Sequence, residues 1–157
     1  MTREPYQPAD GVMTTGEVPR RNDFEMMTGR LTRIVKVAGS HEEQDSLADD
    51  LSVYFVMRDG RIVLLTGCCH AGIVNTLDHV QRLSGSSEIT AIAGGFHLHD
   101  ASEERLEKTS EHLRTHPLSV VAPCHCTGLR GRAALMNAFR DQFRDIGVGS
   151  VLEFSSL

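Results

Sequence analysis

Three histidines, His70, His97 and His125, stand in short turns rich in glycine and cysteine: Gly67-Cys68-Cys69-His70, Gly94-Gly95-Phe96-His97 and Pro123-Cys124-His125-Cys126-Thr127-Gly128. Imidazole and thiolate are ligands that zinc, iron and similar ions favour, while carboxylates suit harder ions. The chemistry expected of this set is metal binding, with His70, His97 and His125 as ligands and Cys68 and Cys126 able to join them. The alternative is that the histidines are satisfied polar residues in tight turns. Cys69 and Cys124 read as small buried residues at crowded strand ends. Neither Cys68-Cys69 nor Cys124-x-Cys126 has regular disulfide spacing, and a bridge within either pair would be strained. In a reducing compartment, cysteine beside histidine is more often a metal or reactive site than a staple.

Each turn follows an apolar run and precedes an amphipathic segment. Ile62 to Thr66 leads to the first turn and to a helix with Ile73, Val74, Leu77 and Val80 on one face. Ile89 to Ala93 leads to the second, where the run His97-Leu98-His99-Asp100 enters a helix expected to start at Asp100, with Glu103 completing a capping box. Leu118 to Ala122 leads to the third, and to a helix carrying Leu135, Phe139 and Phe143. This alternation predicts an α/β domain with a largely parallel sheet, in which the loops leaving the strands' carboxyl ends gather on one edge.

Helix N-termini on that edge offer N–H groups and a positive dipole end to an anion. Thr127 and Gly128 are the candidate substrate-binding pair at one terminus. Arg130 and Arg132, just beyond, can clamp a phosphate or carboxylate.

Upstream, Leu51 to Met57 and Arg61 to Thr66 are joined by Arg58-Asp59-Gly60, a hairpin signal. Leu31 to Val37 is a first strand candidate. It is followed by an acidic loop from Gly39 to Asp50 that carries His41, Asp45, Asp49 and Asp50. Residues 1–23 read as an extended, irregular N-terminal segment, and Val148 to Phe154 as a closing strand. His41, His79, His112 and His116 are expected at the solvated surface.

The chain fits one domain, residues 1–157, with 40% hydrophobic and 24% charged residues, the balance of a folded protein. A net charge of -5 and a pI near 5.9 argue against nucleic acid as a partner. No segment has the apolar length of a membrane span or a signal core, so no membrane partner is expected and the cytoplasm is the expected location.

At these residues a family resemblance enters. Thr66 to Thr76, Gly94-Gly95-Phe96-His97-Leu98 and Pro123-x-His125-Cys126-Thr127-Gly128 resemble one branch of the metallo-β-lactamase superfamily. So do Thr15-Gly16-Glu17-Val18-Pro19-Arg20 with Phe24-Glu25, and Asp49-Asp50-x-Ser52, in the same order. The branch includes an archaeal enzyme of methanopterin synthesis, which joins a dihydropterin to a ribofuranosyl-aminobenzene phosphate, and many metal-dependent hydrolases.

The resemblance implies an αββα sandwich with a metal site at the sheet edge. It makes His125 the late histidine ligand, puts His70 or Cys68 where relatives place a bridging aspartate, and makes His97 a further ligand or substrate contact. The superfamily's His-x-His-x-Asp-His motif is missing, so the chain reads as the C-terminal half of such a sandwich.

The expected function is that of a metal-dependent hydrolase acting on an anionic, phosphorylated small molecule. Its cofactor would be a divalent metal, zinc foremost, with manganese, iron or magnesium as alternatives. In that setting Asp50 would orient the attacking water. The rival functions are a non-catalytic half-domain that needs a partner and a pterin-type synthase. A homo-oligomer or an N-terminal-half polypeptide is the expected protein partner.

Overall fold

The structure is a computed structural model that describes residues 3–26, 32–36, 40–44 and 47–154. Its core is a five-stranded mixed sheet in the order β1-β4-β5-β6-β7. The strands are β1 (Val12–Thr14), β4 (Val53–Val56), β5 (Ile62–Thr66), β6 (Ile89–Gly95) and β7 (Val120–Cys124). Strands β2 (Thr32–Lys36) and β3 (Ser40–Gln44) form a separate antiparallel pair. The pairs β1/β4 and β4/β5 are antiparallel, whereas β5/β6 and β6/β7 are parallel. The parallel strands are almost continuously apolar, and on the face the helices cover Leu64, Ile92 and Val121 are completely buried, whereas Leu65 on the other face is partly exposed.

Helix α1 (Ile73–Ser84) connects β5 to β6, and α2 (Glu103–Leu113) connects β6 to β7. A single 3-10 turn (His125–Thr127) leads directly into α3 (Gly128–Phe139). Helix α2 packs against both α1 and α3, so the three helices form one layer over the sheet. Ile73, Val74, Leu77 and Val80 are all buried, as the 3.6-residue period requires. Burial of each such aliphatic side chain is worth about 1.5–3 kcal/mol. Gly85 ends α1 in the left-handed conformation and donates its N–H to Gln81 O.

The other sheet face presents Phe55, Met57, Val63, Leu65 and Ala93 at the two-residue period of strands. Ile146, Leu152 and Phe154 lie across it, and together these residues line an apolar cavity of about 490 Å³.

Several sequence expectations are revised. Val148 to Phe154 is irregular chain that roofs the open sheet face, not a closing strand. Helix α2 is capped by Ser102, whose backbone is extended and whose hydroxyl accepts the Arg105 N–H at 3.2 Å, so Asp100 is not the N-cap. Helix α3 ends at Phe139, and Phe143 lies beyond it. Part of the expected acidic loop, Ser40–Gln44, is strand β3. A strand, β1, lies inside the N-terminal segment. Leu31, Val37, Gly39 and Asp45 lie outside the described residues.

Candidate metal centre

The ends of β5, β6 and β7 are tied together by direct hydrogen bonds. Gly95 N–H donates to Gly67 O at 3.0 Å, and Phe96 N–H donates to Thr127 Oγ1 at 3.1 Å. A Cβ on Gly95 would come within 2.4 Å of Gly67 O and 2.8 Å of Cys126 Sγ, so only glycine allows the turns this close. Cys69, His97 and His125 have left-handed backbones, with φ of 60°, 47° and 49°. Only one other non-glycine residue, Leu47, has positive φ among those described. Such conformations cost of order 1 kcal/mol or more and concentrate at functional sites.

Cys68, His125 and Cys126 converge. His125 Nε2 lies 3.1 Å from Cys68 Sγ, and the Cys126 thiol donates to Cys68 O at 3.1 Å. Their ligand atoms all lie within 4.8 Å of one another. Cys126 also accepts the backbone N–H of His97, which links this group to the β6 turn. The His97 ring stands 4.6 Å from that of His70 and 5.2 Å from that of His99. His97, His99 and Asp100 form a second set of donors. His70 Nδ1 is 2.9 Å from Asp50 Oδ2, and the same oxygen accepts the His70 backbone N–H in a short contact.

The structure thus gathers His70, His97, His125 and Cys68 along one edge, joined by Cys126. Asp50 lies behind His70, where it holds the imidazole. Thr127 is buried, with its hydroxyl donating to Cys124 O and accepting from Phe96, and so serves to brace the turn. Gly128 abuts His99: a Cβ there would lie 2.7 Å from the His99 Cβ. Arg130 is half-exposed and paired with Glu103 of α2, and Arg132 is paired with Asp145. Cys69 is buried with its thiol 3.2 Å from Thr76 Oγ1, and burial raises its pKa.

The helix N-termini differ from expectation. The first N–H groups of α1 are already occupied, because the buried Glu25 carboxylate accepts from Val74 N–H at 2.9 Å and Asn75 N–H at 2.8 Å. Asn22 Nδ2 donates to the same carboxylate at 2.8 Å. The chain supplies its own hydrogen-bond acceptor there. Helix α3 has no side-chain cap, and its first residue, Gly128, packs against His99.

The upstream segment that contains Thr15 and Arg20 acts as a strap. Arg20 Nη2 donates to His70 O at 3.3 Å, and Thr15 and Ser52 exchange hydrogen bonds at 2.9 Å. Glu25 belongs to the upstream motif, but its capping role depends on packing across 49 residues and has no local signal in the sequence.

The surface assignment of three other histidines is also corrected. His79 is half-buried and its Nε2 lies 3.1 Å from Thr15 O. His112 and His116 meet Asp78 between α1 and α2. The side chain of His41 lies outside the described residues.

The strand-end donors fit a metal ion. Two thiols and an imidazole sit at mutual contact, and His97 Nδ1 is buried without a hydrogen-bond partner among the described residues. Burial pushes the Cys126 thiol up to about 11, so at neutral pH it carries a proton that metal binding would displace.

Comparison with known proteins agrees with this geometry. A solved structure described as a metal-dependent hydrolase of the beta-lactamase superfamily superposes with a TM-score of 0.82 at 27% identity, covering 99% of this chain and 58% of that one. The chain has the metallo-β-lactamase-superfamily fold, as the motifs implied. It is 26% identical, over 98% of its length, to the 7,8-dihydropterin-6-methyl-4-(beta-D-ribofuranosyl)-aminobenzene-5'-phosphate synthase of Methanocaldococcus jannaschii, covering 52% of that enzyme. It is 30% identical over 84% of its length to an uncharacterized protein of the same organism, covering 46% of it. The chain therefore spans about half the length of the curated relatives it matches. No family model matches. Among the described residues, no helix is long and apolar enough to cross a membrane.

Proposed function

We propose that this chain is the metal-binding half of a metallo-β-lactamase-superfamily hydrolase that acts on an anionic, phosphorylated small molecule in the cytoplasm. The observation that carries the proposal is the convergence of Cys68, His125 and Cys126 on one point, with His97 bonded to Cys126 and His70 packed on His97. A bound divalent ion, zinc by the sulfur and nitrogen donors, supplies Lewis-acid polarisation and lowers the pKa of water. Cys68, His125 and Cys126 would hold it, and His97, His99 and Asp100 offer a neighbouring set of donors.

The chain's own residues set the rest. Asp50 fixes the His70 ring with Nδ1 turned inward, which leaves Nε2 as the free lone pair for a ligand bond or a proton. Asp50 is a positioning residue in this arrangement, acting on His70. The uncapped amino end of α3, beginning at Gly128 beside His99, and the Arg130 guanidinium would receive the substrate's anionic group, with Arg130 leaving Glu103 to do so.

A second possibility, a pterin-type synthase, draws on the similarity to the methanopterin-pathway enzyme. A third is a half-domain that acts only when paired, and the part of the apolar sheet face that the chain's own Ile146, Leu152 and Phe154 leave uncovered, where Leu65 is exposed, is the surface such a partner would cover, whether a second copy or an N-terminal-half polypeptide.

The test is metal-dependent turnover of a phosphoester probe by the purified chain, alone and with a separate polypeptide carrying His-x-His-x-Asp-His. Turnover that requires zinc and is lost in Cys68→Ser supports the hydrolase. Zinc binding without turnover in either arrangement, together with condensation of a dihydropterin, would favour the synthase.

A further inference from the structure

We propose that Asp78, His112 and His116 form a second metal site, for a zinc-class divalent ion, that pins the end of α2 to the middle of α1. His112 Nε2 lies 3.0 Å from Asp78 Oδ1 and 3.5 Å from His116 Nε2, and the three donor atoms lie within 4.8 Å of one another. An ion bound by two nitrogens at about 2.0–2.1 Å with tetrahedral angles sets them about 3.4 Å apart. The apposed imidazoles already have that spacing.

The donors come from two elements. Asp78 belongs to α1, whereas His112 lies in the last turn of α2 and His116 just beyond it, one helical repeat further on. His112 is nine residues beyond the first residue of α2, about 14 Å of helix rise away from the strand-end edge. No residue is shared with the centre described above.

Proton counting shows why a cation belongs there. His112 Nε2 faces both Asp78 Oδ1 and His116 Nε2, and a neutral imidazole nitrogen carries at most one proton. His116 Nδ1 faces Gln81 Nε2 at 3.5 Å, so an amide proton directed there leaves Nε2 of His116 as the N–H, pointed at His112. His112 must then accept from His116, and its lone pair meets the Asp78 carboxylate. The opposite tautomer of His112 satisfies Asp78 and sets N–H against N–H. With the Gln81 amide nitrogen turned to His116, neutral rings leave one of the two contacts unmet, and one divalent ion replaces both with bonds.

His116 is only 9% exposed and closes one side of the cluster, while the His112 and Asp78 side chains, 31% and 35% exposed, leave the other side open to an arriving ion. Both rings are held before binding: His116 sits in the interface, and His112 lies against it with ring centroids 5.3 Å apart and the planes tilted by 49°. Two imidazoles and a carboxylate match zinc and its neighbours in the first transition row and leave a fourth position open.

The site is tested on the full chain with zinc and with cobalt as a spectroscopic stand-in. Cys68→Ser/Cys126→Ser removes the sulfur ligands of the strand-end centre, and adding His97→Gln/His99→Gln removes the neighbouring nitrogen donors, so a remaining tight ion that His112→Gln then abolishes reports on the helix layer. The expected result is one equivalent of cobalt bound without sulfur-to-metal charge-transfer absorption, weakened by more than about 100-fold in His112→Gln, a larger loss than removing a supporting residue gives.

Imidazole nitrogen resonances in the otherwise unmodified chain give a second measurement that needs no helix variant: zinc should shift those of His112 and His116. The proposal is overturned if those resonances ignore zinc and follow pH alone, or if His112→Gln folds normally and binds as many ions as the parent.

Discussion

Asp50 grips His70 twice through one oxygen, which accepts the backbone N–H and faces the ring Nδ1 at 2.9 Å. A carboxylate placed this way sets the tautomer and orientation of a ligand histidine. Asp50→Asn should keep the fold and lower zinc affinity by about 10–100-fold, because the amide holds the ring without the charge. Calorimetric titration with zinc reads this directly. An unchanged affinity would place His70 outside the metal's reach.

The thiols should separate by position. Cys68→Ser and Cys126→Ser are each expected to lower zinc affinity more than Asp50→Asn does. Cys69→Ser should leave zinc binding nearly intact, because the Cys69 thiol is buried against Thr76. Competition with a chromophoric chelator ranks the three variants, and equal losses would mean that the turns collapse together instead of contributing separate ligands.

Gly95→Ala tests the close approach of the strand ends. The added methyl meets Gly67 O and Cys126 Sγ below contact distance. Overpacking of this kind costs about 1–3 kcal/mol, and here the turns that carry the donors must spread. The variant should lose both thermal stability and zinc affinity, whereas Gly60→Ala, where a Cβ meets nothing within 4 Å but φ is +85°, should lose stability alone.

Glu25 gives a pH signature. Burial raises its pKa above 4.5, against the hydrogen bonds of Asn22, Val74 and Asn75, which lower it. The folded state then holds a proton that the unfolded chain releases in the window from 4.5 up to the raised value. Stability from this group is greatest below 4.5, falls as pH rises through that window and is level above it. Urea unfolding across the window should show this slope in the parent and lose it in Glu25→Gln. A parent slope identical to that of the variant would assign the effect elsewhere.

The strand-end turns were legible because each joins two strong local signals, an apolar run and an amphipathic helix, and the 3.6-residue period placed Ile73, Leu77 and Leu135 in the core before any tertiary contact was known. The cap of α2 was missed by two residues because Asp100 and Ser102 are both good caps, and only the chain's path decides between them. Glu25 over α1 and Asp78 with His112 and His116 were not legible in those terms, since each depends on contacts between distant segments. The four-residue spacing of His112 and His116 was the one local signal for the second cluster. Roofing of the sheet by Ile146, Leu152 and Phe154 is not legible in the sequence because an apolar, Gly-containing stretch looks the same as a strand or as irregular chain lying on a sheet.

The most direct test of the strand-end centre is X-ray absorption at the zinc edge on the loaded chain carrying His112→Gln, which removes the helix-layer donors. A mixed shell of sulfur at about 2.3 Å and nitrogen at about 2.0 Å is predicted, with the sulfur contribution lost in Cys68→Ser/Cys126→Ser. A shell of nitrogen and oxygen only, unchanged by removing the thiols, would contradict the assignment of Cys68, His125 and Cys126 as the metal centre.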